Sequence, residues 1–223
     1  MSSSFFLRLW CECATLAHCG ALFLDEVAEF SRGVLDTLRE PLEERSITIS
    51  RAGGTATYPA RFVLIAAMNP CPCGFWGDAE RECTCLPDQI ERYRGKLSGP
   101  VLDRIDLRAH VPRVPFERLR DEGREPSADV RNRVLAARER MRARLAGTGR
   151  RVNADLTVPE VKRFCPVDSE TERLLAEAVQ ARRLSARGYH RVLRVARTAA
   201  DLAGSDGLRT EDVAFALLLR SDP

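Results

Sequence analysis

The sequence predicts an α/β core followed by an all-α domain, and three patterns support this prediction. Two short apolar runs, at 21–24 and 62–67, each end in polar residues, as buried strands of a parallel sheet do. Between them, residues 46–50 alternate apolar and polar side chains, and a glycine pair separates them from a run at 55–58, which predicts a β-hairpin. Beyond Pro126, apolar residues recur at helical spacing.

The bulk composition is that of a soluble protein with one large or two small domains. The chain has 223 residues, of which 44% are hydrophobic and 30% charged, and the net charge is +3. No apolar run is long enough to cross a membrane, so we expect no membrane contact. Residues 1–13 lack the basic start and the cleavage site of a signal peptide, so we expect a cytoplasmic protein.

The remaining elements of the first half follow from local signals. Ser31 is a favourable N-cap for a helix running to about Arg45, and Pro41 should bend or break that helix. The stretch 105–111 has the apolar content of a further strand. Prolines then punctuate the segment 112–126, which predicts a linker.

The second half should be entirely helical. We predict one long arginine-rich helix over 127–145, followed by helices at 158–164, 169–182, 185–203 and 209–220. Ser185 and Thr210 are the expected N-caps, and Gly204 is the expected helix stop.

Arginines cluster in two stretches of these helices. Eight arginines and a single acid, Glu139, lie between Arg131 and Arg151, and six arginines without an acid lie between Arg182 and Arg197. Such stripes can follow the phosphates of a nucleic acid, or they can be solvated helix faces.

Polar residues at the ends of the predicted strands indicate a nucleotide site. Asp25 and Glu26 follow the first apolar run, where an aspartate can hold a Mg²⁺-bound water and a glutamate can polarise an attacking water. Asn69 ends the second run and can orient that water. Arg104 precedes the stretch 105–111 and can reach a neighbouring subunit's nucleotide, or it can pair with Asp103 or Asp106.

The order of five motifs resembles the magnesium-chelatase-like AAA+ ATPases, closest to the ComM/YifB subfamily, over about Ala14 to Arg220. The motifs that carry the resemblance are LAHCGALFLDE at 16–26, ITISRA at 47–52, AAMNPCPCG at 66–74, YRGKLSGPVLDRIDL at 93–107 and SARGYHRVLRVART at 185–198.

The resemblance implies a role for each matching residue. Asp25 and Glu26 look like the Walker B pair, Asn69 like sensor 1, Arg104 like the arginine finger and Arg187 like the sensor 2 arginine. It also implies ATP and Mg²⁺ as cofactors, DNA as partner, self-association into a hexameric ring, and a hairpin at 46–61 that points toward the ring channel.

The resemblance divides the chain into four segments. Residues 1–13 match nothing in the family, 14–115 form the later part of a AAA+ P-loop NTPase core, 116–150 hold a linker and the long arginine-rich helix, and 151–223 form a helical lid. The phosphate-binding pattern G-x-x-x-x-G-K-[ST] does not occur in the chain. We therefore expect weak ATP binding and no turnover by this chain alone, and exposed apolar edges on its sheet.

Four cysteines predict a structural zinc site. Cys71 and Cys73 form one C-x-C pair, and Cys83 and Cys85 form a second one. Four thiolates can complete a tetrahedral zinc site, and the ComM-like subfamily carries this insert too. Free or oxidation-prone thiols are the alternative, and the set Cys11, Cys13 and His18 is a weaker candidate for metal binding.

These observations leave three functional hypotheses. The first is a ComM-type motor for branch migration of DNA during natural transformation and recombination. The second is a non-catalytic remnant that binds DNA or partner subunits. The third is an ATPase subunit of a metal chelatase, which the cysteine insert argues against.

Overall fold

The computed structural model describes residues 12–51, 54–78, 80–114, 125–181 and 184–220. The chain divides into two compact units, Met1–Ile105 and Asp106–Pro223. The prediction for the extension 1–13 falls mostly outside the described residues. No helix in the described part is long and apolar enough to cross a membrane.

The first unit is an α/β arrangement, as predicted. Its elements in chain order are β1 (Ala21–Leu24), α1 (Arg32–Asp36), α2 (Arg39–Glu44), β2 (Ser46–Arg51), β3 (Gly54–Pro59), β4 (Val63–Ala66), α3 (Pro87–Arg94) and α4 (Gly99–Leu102). Strands β1 and β4 pair in parallel with Leu22 opposite Leu64. Leu24, Leu35 and Val101 form part of a core cluster beneath this sheet.

The hairpin prediction is confirmed. Strands β2 and β3 pair antiparallel with Ile47 opposite Tyr58, and the hydroxyls of Thr48 and Thr57 lie 3.3 Å apart across the ladder. The tip of the hairpin at 52–53 lies outside the described residues. Every residue of β3 is exposed, so the hairpin presents one whole strand to solvent.

The helix expected from Ser31 to Arg45 is two helices, and the break precedes the proline. α1 ends at Asp36 and α2 begins at Arg39, which places Pro41 in the first turn of α2. Proline has no N–H to donate to a carbonyl four residues earlier, so a first-turn position costs nothing there, whereas an interior position would leave that carbonyl unpaired. The buried side chains of Leu35 and Leu38 hold the junction against the core.

The prediction of a strand at 105–111 is wrong. Residues 105–114 have no regular secondary structure, and no strand among the described residues pairs with them. An extended segment becomes a strand only where a neighbour accepts its hydrogen bonds. Here the Arg108 amide donates to the carbonyl of Leu219 at 2.6 Å, and the Asp106 carboxylate lies 3.2 Å from Arg191.

The second unit is helical, as predicted. Its helices are α5 (Ser127–Arg144), α6 (Val158–Phe164), α7 (Ser169–Gln180), α8 (Ala186–Leu202) and α9 (Thr210–Leu218). Fully or nearly fully buried apolar side chains from different helices form its core, among them Val161, Leu175, Val192 and Val213.

Two of the three helix ends predicted from the sequence are confirmed. The Ser185 hydroxyl accepts a hydrogen bond from the Gly188 amide, so Ser185 caps α8 as expected. Gly204 adopts φ 76° just beyond that helix, a left-handed stop. Thr210 is not the N-cap of α9: Arg209 occupies that position, and the Asp212 carboxylate accepts its amide hydrogen at 3.0 Å.

A buried charge cluster fixes the end of α5 to α8. Asp201 is fully buried, and both of its carboxylate oxygens accept hydrogen bonds from the guanidinium of Arg144. Arg197, 1% exposed, donates to the same carboxylate at 3.2 Å, and the Asn153 amide does so at 2.9 Å. These four polar groups pair around one carboxylate, which is the condition under which buried charges are tolerated. Nε of Arg144 and of Arg197 is buried without a hydrogen-bond partner among the described residues.

Candidate functional site

The carboxyl edge of the parallel sheet gathers the predicted hydrolysis residues. Leu24 lies opposite Ala66, and the Val27 amide donates to the Ala67 carbonyl at 2.9 Å, so the two strand ends stay side by side beyond the sheet. Asp25 and Glu26 follow β1, Asn69 follows β4, and all three side chains are exposed. Carboxyl ends of parallel strands are where open α/β sheets bind ligands.

The turn after β1 has an unusual backbone. Glu26 adopts φ 48° and ψ 45°, the left-handed region, and its amide donates to the Asp25 carboxylate at 2.9 Å. Non-glycine residues pay for this conformation and concentrate at functional sites. The buried residues Val27 and Ala28 follow immediately and anchor the turn in the core. The backbone that carries the two carboxylates is therefore held in place by the core.

A buried tyrosine that no sequence pattern indicates supports the carboxyl edge of the parallel sheet. Tyr93 of α3 is 6% exposed and makes a hydrogen bond with the backbone of Asn69. Burial and the nearby negative charge of Glu29 raise the pKa of the Tyr93 hydroxyl, so it is neutral at physiological pH. No sequence signal links α3 to the end of β4, since the cysteine-rich loop intervenes.

Arg104 lies inside the first unit. Its guanidinium is 2.6 Å from a carboxylate oxygen of Glu43, and its side chain is only 8% exposed. The same group donates to the carbonyl of Pro100, while Nε is buried without a hydrogen-bond partner among the described residues. The alternative prediction was an ion pair with Asp103 or Asp106. Arg104 does form an ion pair, but its partner is Glu43. The arginine-finger role stays a prediction.

Arg187 lies in the second unit, exposed in the first turn of α8. The Ser185 cap fixes the start of that turn. The sensor 2 role of Arg187 stays a prediction.

The arginines of α8 are largely used inside the second unit. Arg191 pairs with Asp106, Arg194 donates to the Leu156 carbonyl, and Arg197 belongs to the cluster around Asp201. Arg182 and Arg183 lie outside the described side chains. The second arginine-rich stretch is therefore mainly structural, a use that spacing alone did not predict.

The four predicted cysteines converge. The sulfurs of Cys71, Cys73, Cys83 and Cys85 lie within 4.8 Å of one another. Cys71 Sγ is 3.3 Å from that of Cys73 and 3.7 Å from that of Cys83. Zinc–sulfur bonds of about 2.3 Å in a tetrahedron place sulfurs about 3.8 Å apart, so the spacing fits this ion. The Trp76 amide also donates to Cys71 Sγ at 3.3 Å.

The environment of these thiols prepares one of them for ionisation. Hydrogen bonding from the Phe75 backbone lowers the pKa of Cys73 to about 5, with contributions from Thr84 and the other thiols. The Cys85 amide lowers the pKa of Cys83, but burial and the thiols of Cys73 and Cys71 outweigh it and raise the value to about 12. A cation with four sulfur ligands would bind all four cysteines as thiolates, and Cys73 is already prepared for that state.

The weaker metal candidate stays a prediction, because one of its three members is not described. The described cysteine and histidine side chains form a metal-sized group only at the four clustered cysteines. His18 Nδ1 instead accepts a hydrogen bond from the Arg61 amide at 3.2 Å. Cys11 lies outside the described residues.

Comparison with known proteins gives matches along most of the chain. The family model "Magnesium chelatase, subunit ChlI" matches residues 12–119, and "Magnesium chelatase, subunit ChlI C-terminal" matches residues 124–220.

The relatives agree with these matches. Competence protein ComM of Haemophilus influenzae is 44% identical over 209 residues, which are 93% of this chain and 40% of ComM. YifB of Escherichia coli is 44% identical over 210 residues with the same coverage. The 38 kDa magnesium-chelatase subunit of Rhodobacter capsulatus is 29% identical over 136 residues, 56% of this chain and 35% of the subunit.

The chain thus spans about 40% of the length of the ComM and YifB proteins that it matches. The two family models follow one another in the same order as the α/β and helical units. With the carboxylate pair at the strand end, these matches show that the chain belongs to the magnesium-chelatase-like family of AAA+ ATPases.

Proposed function

We propose that the chain is part of an ATP-driven motor that acts on DNA, of the ComM kind, with branch migration during transformation or recombination as its role. The observation that carries this proposal is the joint placement of Asp25, Glu26 and Asn69 at one edge of a parallel sheet. The 44% identity with competence protein ComM, over 93% of the chain, favours this branch of the family.

The three residues would divide the work of hydrolysis. Asp25, exposed at the strand end, would hold a Mg²⁺-bound water, and Glu26, the next residue, would orient the attacking water. Asn69, whose backbone Tyr93 supports, would fix the position of that water. Mg²⁺ with ATP supplies the polarised phosphoryl group on which such residues act.

These residues fit only the metal and water side of a nucleotide site. The chain contains no G-x-x-x-x-G-K-[ST] pattern, so its own backbone offers no phosphate loop. Loop amides and the loop lysine supply much of the binding energy for a triphosphate. We therefore propose that this chain hydrolyses ATP only when a longer protein, or a second polypeptide, supplies that loop.

We propose zinc as the ligand of the four clustered cysteines. Zinc prefers a tetrahedral set of thiolates, and the sulfurs of Cys71, Cys73 and Cys83 lie 3.3–3.7 Å apart, close to that geometry, with all four sulfurs within 4.8 Å. The ion would fix the loop between β4 and α3, and through it the position of Tyr93 beside Asn69.

A metal-chelatase subunit is the second candidate function. The relatives of that kind match 56% and 55% of the chain at 29% and 26% identity, less than ComM on both measures. A non-catalytic remnant is the third candidate, favoured by the missing loop pattern. Restoring the phosphate loop separates a remnant from a motor, because a remnant would not regain ATP hydrolysis.

The decisive experiment restores the loop. Residues 12–220 would be joined to the part of Haemophilus influenzae ComM that precedes the matched region, and ATP hydrolysis would be measured with and without DNA. We expect DNA-stimulated hydrolysis, lost in Glu26→Gln and retained in Glu29→Gln, a matched exposed carboxylate on the next turn. A folded fusion that hydrolyses ATP equally well with Gln at position 26, or shows no response to DNA, contradicts the proposal.

A further inference from the structure

We propose that one exposed face of α5 binds the phosphate backbone of a nucleic acid. This arginine face consists of Arg131, Leu135, Arg138 and Arg142. The inference rests on the proposed DNA partner and names the surface of the chain that would contact it.

The spacing of these residues aligns them along the helix. They follow one another at intervals of four, three and four positions, and at 3.6 residues per turn such positions lie above one another. At about 1.5 Å per residue the face is about 16 Å long. All four side chains are exposed, whereas the buried residues of α5, Ala137 and Met141, lie on a different side of the helix.

The described part of the second unit does not neutralise the charge of this face. In the described part of the chain, the guanidiniums of Arg131, Arg138 and Arg142 make no ion pair, although Arg133 pairs with Glu125 and Arg144 with Asp201. Arg138 and Arg142 are one helical turn apart, where like charges repel each other. Binding a polyanion would relieve that repulsion without disturbing the core.

The arginines of α8 differ from those of the arginine face, so exposed and unpaired arginines are not a general property of the arginine-rich helices. Three arginines of α8 pair internally with a carboxylate or a carbonyl, as a structural use requires. Within the described residues, the arginines of the face on α5 have no such partner. They are left for an external acceptor.

Phosphate is the acceptor that this face fits. The planar guanidinium forms paired hydrogen bonds with phosphate oxygens. Each strand of duplex DNA carries a phosphate about every 3.4 Å along the helix axis, so a face of about 16 Å lies within reach of several phosphates and can contact three of them. Leu135, 50% exposed between two of the arginines, can contact the sugars between those phosphates.

The test measures DNA binding by the whole chain as a function of salt. Fluorescence anisotropy of a labelled oligonucleotide of mixed sequence, single-stranded and duplex, would be recorded for three proteins. These are the natural chain, the variant Arg131→Gln/Arg138→Gln/Arg142→Gln, and a control of equal charge change, Arg39→Gln/Arg92→Gln/Arg173→Gln, whose three arginines are exposed elsewhere.

We expect the face variant to bind at least about tenfold more weakly at low salt, and the slope of log affinity against log salt to fall by about 2 to 3. The control should keep most of the affinity and the slope. The variant Arg131→Lys/Arg138→Lys/Arg142→Lys should keep the slope because it keeps the charge. It also preserves the test if the glutamine variant proves less stable in thermal unfolding.

Three results would overturn the inference: no measurable DNA binding by the natural chain, equal weakening in the face and control variants, or equally tight, face-dependent binding of anionic lipid vesicles. Failure of the proposed function is a separate result, since it is measured as ATP hydrolysis by the ComM fusion. A fusion with DNA-stimulated hydrolysis that the face variant leaves unchanged would contradict the arginine face alone.

Discussion

The guanidinium of Arg104 lies 2.6 Å from the carboxylate of Glu43. The Arg104 side chain is 8% exposed and the Glu43 side chain 31% exposed. This pair joins the end of α2 to the turn that follows α4. A residue held in this way cannot contact a nucleotide on a neighbouring subunit at the same time. The proposed finger role therefore requires Arg104 to leave Glu43.

The pair should contribute to stability. We expect Arg104→Gln to lower the free energy of unfolding by about 1–3 kcal/mol, between the values for exposed and buried ion pairs. Arg32→Gln is the matched control, because its 4.0 Å contact with Asp36 is exposed and should be worth under about 0.5 kcal/mol. Urea unfolding of both variants, of Glu43→Gln and of the double variant measures the coupling. Additive effects of the two changes at 43 and 104 would show that the contact has no energetic role.

The buried cluster around Asp201 should be more sensitive. Asp201→Asn leaves the guanidiniums of Arg144 and Arg197 without a negative partner in a buried site. We expect a loss of about 3–5 kcal/mol in the free energy of unfolding. Asp206→Asn changes an exposed side chain, while the Asp206 carbonyl that accepts from Arg197 stays in place, so it should change the free energy of unfolding by less than about 0.5 kcal/mol. Equal stability of the two variants in denaturant titration would contradict the assigned role of the cluster.

Much of the fold could be predicted because its signals are local. Apolar runs give β1 and β4, alternation gives the hairpin, and Ser185 and Gly204 bound α8. Long-range partners could not be predicted in this way. Glu43 meets Arg104 only after the chain folds, and the stretch 105–111 fails to become a strand because no neighbouring strand in the described part of the chain pairs with it.

The candidate site shows the same division. The convergence of the four cysteines was predictable from two C-x-C pairs, and the edge position of Asp25 and Asn69 from the ends of two apolar runs. Tyr93 and the left-handed Glu26 were not predictable. The first depends on tertiary packing, and the second on a backbone conformation that glutamate rarely adopts.

Metal-free and zinc-loaded protein should differ in thiol reactivity. Without metal, Cys73, with a pKa of about 5, is a thiolate at neutral pH and should be alkylated by iodoacetamide before Cys83, with a pKa of about 12. Zinc should protect all four cysteines together. Peptide mapping, with metal content measured in parallel, checks both statements. The buried Cys165, with a pKa raised to about 11 by burial, is the internal control that should stay unreactive in both states.

A capping carboxylate predicts the acid sensitivity of the second unit. Hydrogen bonds from the backbone and hydroxyl of Thr157, with help from Arg150, lower the pKa of Glu160 to about 2. Because the folded-state pKa is below the unfolded value, the stability from this group is present above about pH 4.5 and is lost as pH falls toward 2. In that pH window, the midpoint of thermal unfolding should depend less on pH in Glu160→Gln than in the natural chain. Glu170→Gln, an acid near the start of α7, is the control, and an equal effect of both changes would contradict the assignment.

The two-stranded parallel sheet has a consequence for the life of the chain in a cell. Phe23, Val63 and Ile65 are 60%, 63% and 48% exposed on strands that normally belong to a sheet covered on both sides. Chaperones and proteases act on chains that expose apolar surface of this kind. The abundance of this polypeptide should therefore be governed by how quickly that apolar surface finds a cover, and less by the stability of its helical unit.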